Sequence, residues 1–226
     1  MGAKETAKAL EVIGFDEIYL TKRLTDGNKR IPGDRTIQDK RGLLLEHFNS
    51  FKDCTKCELH KSRTQVVFGD GNPYSPVVFV GEAPGEDEDR QGRPFVGRAG
   101  KYLNTKIEEV LGLRREEVYI TNVCKCRPPG NRKPTPLEIS ACFPYLKKEL
   151  DIIEPKVICC LGATAGEGIL GKKLSITKLR GQTMPYPYNT KVLVFLTYHP
   201  AYILRNPRAD GEFTEDMRKL KELIGL

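Results

Sequence analysis

Four short runs of apolar, mostly β-branched residues, each cut off by glycine, proline or a polar turn, limit what this chain can become. They are VVFVG (77–81), VYITNV (118–123), KVICCLG (156–162) and KVLVFLT (191–197). None alternates between apolar and polar residues as a strand with one wet face would. Nearly unbroken apolar strands are buried on both faces. Between them, GRAGKYLNTKIEEVLG, TPLEISACFPYLKKELDII and ATAGEGILG read as helices, the two longer ones with apolar residues three or four apart. LLLEHFNSF reads as a helix ahead of the first strand and TEDMRKLKELIGL as a closing one. Strands alternating with helices predict a three-layer α/β/α fold with a central four-stranded parallel sheet. Ligands of such sheets collect at the carboxyl ends of the strands, which gathers GEAPGEDED, NVCKCRPPG, GATAG and YHPAYILR on one rim.

This pattern occupies residues 43–226, and the chain's 226 residues suffice for one such domain plus an arm. Residues 1–42 differ. TKRLTDGNKRIPGDRTIQDKRG is polar, turn-rich and basic, and reads as a partly irregular arm that contacts DNA or a partner, or packs loosely on the surface. Lys and Arg number 37 against 30 Asp and Glu, a formal net charge of +7, which favours an anionic partner without identifying one. No apolar run approaches the roughly 18 residues of a spanning helix. The opening MGAKETAKAL lacks the basic stretch and apolar core of a secretory signal, so an intracellular (cytoplasmic) protein with no membrane partner is expected.

Seven cysteines without an export signal point to reduced thiols rather than a disulfide framework. Cys54 and Cys57 form C-x-x-C; Cys126 and Cys142 stand singly further on. Four soft thiolates suit a 4Fe–4S cluster or a structural zinc, and the absence of a second close pair favours the cluster. Cys124 competes with Cys126, because alternate residues of an extended chain share a face. Cys159 and Cys160, in the middle of an apolar run, read as buried small hydrophobes. Residues 166–172 spell G-x-x-x-x-G-K, but Lys173 stands where a phosphate loop needs Ser or Thr, and the stretch looks helical, so nucleotide binding is not expected.

GEAPGEDED crowds Glu82, Glu86, Asp87, Glu88 and Asp89 behind the first strand of a basic protein. Such a group can activate a water, bind magnesium or simply face solvent. His199 follows the last strand and precedes Pro200, the apolar Ala201-Tyr202-Ile203-Leu204 and Arg205, the composition of an apolar wedge with a phosphate-binding flank. His47 and His60 have no such setting and read as structural.

Taken in order, GEAPGEDED with GRPFVGRAG, TNVCKCRPPGNRKPT and HPAYILR, together with the four-cysteine spacing, resemble the family 4 uracil-DNA glycosylases, iron–sulfur enzymes of thermophilic bacteria and archaea. The resemblance covers residues 45–225 and leaves the arm unassigned. It implies the uracil-DNA glycosylase-like fold and a 4Fe–4S cluster on Cys54, Cys57, Cys126 and Cys142. It also implies hydrolysis of the N-glycosidic bond of a deoxyuridine flipped out of DNA, leaving an abasic site for base excision repair. In that reading Glu82 orients or deprotonates the attacking water, with Glu88 as a second carboxylate, and neutral His199 donates to uracil O2. Phe95 stacks on the base, Asn122 reads O4 and N3–H, and Ala83 and Gly85 contact the substrate. Tyr202, Ile203 and Leu204 fill the gap left by the base, while Lys125, Arg127, Arg132 and Arg205 hold phosphates. The expected partner is uracil-containing DNA, single- or double-stranded, bound by a monomer, with the sliding clamp a candidate second partner. Two other classes compete. A zinc-dependent nucleobase deaminase would need H-x-E and P-C-x-x-C, both missing here; a non-catalytic iron–sulfur DNA-binding module would have no use for the acidic turn.

Overall fold

A computed structural model describes residues 39–226 and sets the four apolar runs side by side as the inner strands of one sheet. Most of the arm expected over 1–42 lies outside the described residues, and the first helix among the described residues, α1 (Lys40–Asn49), already begins at Lys40. The strands are β1 (Asp70–Gly71), β2 (Val77–Gly81), β3 (Tyr119–Asn122), β4 (Val157–Leu161), β5 (Thr183–Tyr186) and β6 (Asn189–Thr197). Their order across the sheet is β1-β3-β2-β4-β6-β5. β3, β2, β4 and β6 are mutually parallel, as expected, with Gly81 beside Asn122 and Leu161 beside Thr197.

Two antiparallel edges were not legible beforehand. β1 has only two residues, and β5 contains Pro185, which cannot donate to a ladder and is tolerated only at an edge. Short and proline-bearing edges also discourage pairing with other chains.

Helices cover both faces. α2 (Glu86–Gln91) and α3 (Arg98–Lys106, continued by a π-turn over Ile107–Leu111) follow β2, and α4 (Pro136–Ile153) follows β3. α5 (Ala163–Leu170) and α6 (Ile176–Leu179) follow β4; α7 (Pro200–Arg205) and α8 (Asp210–Ile224) follow β6. The strand residues divide between two cores. Val78, Val80, Ile158, Cys160, Val194 and Leu196 join α1, α4 and α5 on one face. Val77, Phe79, Val157, Cys159 and Phe195 join α3 and α8 on the other. Both faces being dry is why the strands read as continuous apolar runs. Cys159 and Cys160 are wholly buried, one in each core, and the G-x-x-x-x-G-K stretch starts inside α5. Among the described residues no helix is long and apolar enough to cross a membrane.

Candidate active site

Because the four inner strands run the same way, their carboxyl ends open on one rim, where a cleft of about 710 Å³ lies. Each inner strand feeds it: Glu82 after β2, Asn122 at the end of β3, Gly162 after β4 and His199 after β6. Loops after β2 and β4 leave toward opposite sides of the sheet, which is where open parallel sheets form ligand crevices.

The carboxylates sort themselves by partner. Glu86 to Asp89 form the first turn of α2, where the helix dipole favours negative charge. Glu86 accepts from Arg127 at 3.2 Å, Asp87 from Arg90 at 2.8 Å, and Asp89 is buried under the Thr64 N–H at 3.0 Å. Glu88, expected as a second catalytic carboxylate, is engaged by three backbone N–H groups instead: Gly85 at 3.1 Å, Val96 at 3.0 Å and Gly97 at 2.8 Å. Its carboxylate fastens α2 to the segment that carries Phe95, and the Gly85 N–H expected to meet substrate points at Glu88. Of the five carboxylates only Glu82 has no hydrogen-bond or ion-pair partner among the described residues, and it borders the cleft beside Ala83.

Phe95 is held at φ +57°, a left-handed backbone that a bulky residue adopts only under local constraint. Its ring stands 5.8 Å from the His199 ring, tilted by 34°. On the neighbouring strand, a Cβ at Gly81 would lie 2.3 Å from Asn122 Oδ1 and 2.6 Å from the Phe95 ring, so only glycine leaves both groups their places. Asn122 is 2% exposed, and its Oδ1 is buried with no partner in the protein. Buried amides are almost always satisfied; an orphan at a cleft wall is set up for a ligand.

His199 caps α7, with Nδ1 accepting from the Ala201 N–H at 3.1 Å. A ring nitrogen that accepts carries no proton, so the proton of the neutral ring sits on Nε2. Burial, aided by Arg205, pushes its pKa down to about 4. The imidazole is therefore neutral at physiological pH.

The wedge takes helical form. α7 turns Ile203 into the core at 2% exposed, correcting its place in the trio, whereas Leu204 is 38% exposed. Tyr202 borders the cleft and packs on Tyr198 at 4.8 Å, and Arg205 lies on the same wall. Successive helical residues point about 100° apart, so three in a row cannot share one face. Lys125 is also corrected: it is 1% exposed, its Nζ bonded to Glu149 and to Thr121 Oγ1, and it is out of reach of phosphate. Tyr119 and the Gly69 N–H complete the shell around Glu149 at 2.7 and 3.1 Å. Arg127 spans Glu86 and Asn131, while Arg132 is forked onto Glu138 at 2.7 and 2.8 Å, holding that carboxyl down to about 2. Arg132 remains on the cleft rim, joined there by Asn131, Lys133 and Arg98, which sequence reading passed over. The PPGN turn, with Gly130 and Asn131 both at positive φ, was the available signal for Asn131.

Cys54, Cys57, Cys126 and Cys142 line one small internal cavity, which Cys124 does not. Cys124 instead contacts Cys142, and its hydrogen bond holds the Cys142 thiol below the usual range. Among the described residues, no three His, Cys, Asp or Glu side chains stand at metal-ligand geometry. The donor set nevertheless suits an all-sulfur centre. Arg63 Nη1 donates to Cys126 Sγ at 3.2 Å, the Lys125 N–H to Cys142 Sγ at 3.2 Å, and Tyr145 Oη to Cys54 Sγ at 3.3 Å. Donors aimed at ligand sulfurs are the usual outer shell of thiolate-bound metals. His60 and His47 serve backbone carbonyls of Cys57 and Tyr145, in the structural parts expected of them.

Fold and cleft together are those of an α/β enzyme whose strand-end cleft is bordered by an aromatic ring, a buried amide and a neutral imidazole. A family model described as the uracil DNA glycosylase superfamily matches residues 68–221. The type-4 uracil-DNA glycosylase of Sulfurisphaera tokodaii is 51% identical over 175 residues, covering 75% of this chain and 80% of that protein. Those of Thermotoga maritima and Archaeoglobus fulgidus are 51% and 48% identical, over 76% of this chain and 90% and 88% of theirs. The chain belongs to the uracil DNA glycosylase superfamily and, within it, groups with the type-4 members.

Proposed function

We propose that the chain is a uracil-DNA glycosylase of base excision repair, hydrolysing the N-glycosidic bond of a flipped deoxyuridine to free uracil and an abasic site. The observation that carries this reading is the convergence of one unpartnered carboxylate, one neutral imidazole, one orphaned amide and one aromatic ring on a single cleft. Phe95 stacks on the extruded ring, and Asn122 meets O4 and N3–H with its donor and acceptor. As the bond breaks, the His199 Nε2–H donates to the charge gathering on uracil O2, in the manner of an oxyanion donor. Glu82 orients the water, accepts its proton and, as an anion, favours the cationic sugar. Leu204, with Tyr202 behind it, enters the space vacated in the DNA, and Arg205, Arg132 and Arg127 lie along the phosphate path. Lys133 and Arg98 belong to the same basic rim.

Cys54, Cys57, Cys126 and Cys142 would hold the 4Fe–4S cluster. Bound there, it would tie the segment after α1 to the loop after β3 and to α4, and no step of the hydrolysis passes through it. The protein works as a monomer on DNA inside the cell. Incubation with uracil-containing single-stranded DNA followed by alkali is the test. Strand breaks at uracil are expected. A protein that binds the DNA but leaves no alkali-labile site is a binding module instead.

A further inference from the structure

We propose that the ion pair of partly exposed Arg180 with buried Asp216 is a latch that positions His199 for excision; this rests on the glycosylase reading above. Asp216, wholly buried on α8, accepts from Thr197 Oγ1 at 2.8 Å and from both Nε and Nη2 of Arg180 at 2.9 and 2.6 Å. Thr197 is the last residue of β6, and its carbonyl accepts the Gly162 N–H at 2.9 Å where the cleft floor begins. Arg180 makes two further contacts. Its guanidinium lies 5.5 Å from the centre of the Tyr198 ring, and Nη2 also reaches the Glu212 carbonyl. Tyr198 packs on Tyr202, and both border the cleft with His199. Neither Arg180 nor Asp216 borders it themselves.

The turn that bears His199 is thus gripped on both sides. Thr197 is tied down before it, and Tyr198 is pressed toward α7 alongside it. His199 is carried by that turn and its Nδ1 accepts from the first turn of α7, so the orientation of the imidazole depends on how the turn is held. An ion pair with one charge fully buried is a poor device for stability alone, since an apolar residue would fill the place of Asp216 without desolvating a carboxylate. A planar fork on a carboxylate does fix direction, which apolar packing does poorly. Direction is what an imidazole donor needs. A displacement of about 1 Å can slow a positioned reaction on the order of 10²-fold.

The test uses the full-length, cluster-loaded protein with Arg180→Met, Arg180→Lys and Thr197→Val. Single-turnover excision and the dissociation constant are measured on uracil-containing single strands, well below each variant's melting temperature. Arg180→Met is expected to slow excision by about tenfold or more with affinity changed less than twofold, Arg180→Lys to recover part of the rate, and Thr197→Val to fall between. In parallel, ¹⁵N signals of the His199 ring are expected to pass from the single Nε2–H tautomer toward an averaged form in Arg180→Met. Variants that melt earlier yet excise within twofold of wild type, with unchanged ring signals, overturn the latch. Should Arg180→Met not fold, Thr197→Val decides by the same two readouts. A wild-type protein that leaves uracil in place overturns the glycosylase reading, and the ring signals then judge the latch by themselves.

Discussion

Asn122→Asp is the sharpest probe of base identity. The Asn122 amide is nearly inaccessible and its Oδ1 has no protein partner, and in the proposed reading the bound base provides its pairing. Uracil presents an acceptor at O4 and a donor at N3, and an amide can answer both. Aspartate keeps the acceptor and replaces the donor with a second acceptor, setting oxygen against O4 in a site closed by Gly81 and Phe95. A buried group left unpaired costs about 1–3 kcal/mol. Two opposed acceptors belong at the upper end, so about 3 kcal/mol is lost, or roughly 10²-fold in rate at about 1.4 kcal/mol per tenfold. Cytosine offers an N4 amine where uracil has O4, and the same carboxylate accepts it. Single-turnover rates on matched U- and C-containing single strands, where flipping is cheapest, should therefore show most uracil excision lost and slow cytosine excision gained. Uracil excision within a few-fold of wild type would mean that Asn122 does not face the base and would refute the reasoning.

Four further outcomes are expected. His199→Ala and Glu82→Gln should each slow excision by about 10² or more with little change in DNA affinity, because both act on charge present only in the transition state; rates within a few-fold of wild type exclude those roles. His199 is held neutral with its pKa lowered from 6.5 to about 4, so the unfolded chain binds the extra proton first. Stability is complete above about 6.5 and declines as pH falls toward 4, and melting curves of wild type against His199→Ala should converge over that window. Lys125→Met leaves Glu149 buried without its cation and should cost stability on the order of 3–5 kcal/mol, while the salt dependence of DNA binding stays unchanged; a reduced salt slope would return Lys125 to the phosphate path. Cys142→Ala should lose iron, its absorbance near about 400 nm and stability together, whereas Cys159→Ala should lose neither colour nor activity; a colourless wild type purified without oxygen and carrying zinc would sink the cluster assignment.

Local pattern determined the inner architecture by itself. Four apolar runs separated by helical stretches admit few arrangements, and a parallel sheet with dry faces satisfies all of them, so the rim that gathers Glu82, Asn122 and His199 follows from topology. The paired spacing of Cys54 and Cys57 and the lone Cys126 and Cys142 likewise announced a thiol site, which the folded chain draws around one cavity. Which side chain faces which partner was a different matter, because that depends on contacts between residues far apart in the chain. Lys125 looks like any cation of a basic loop until Glu149, from the last turns of α4, draws it inside. Glu88 looks as reactive as Glu82 until the backbone of Val96 and Gly97 folds back onto it. Ile203 looks like part of a wedge until α7 coils and turns it inward. Periodicity is written in neighbouring residues and can be read from them, whereas charge pairing across 24 positions or a carboxylate's satisfaction by distant N–H groups exists only once the chain has closed on itself.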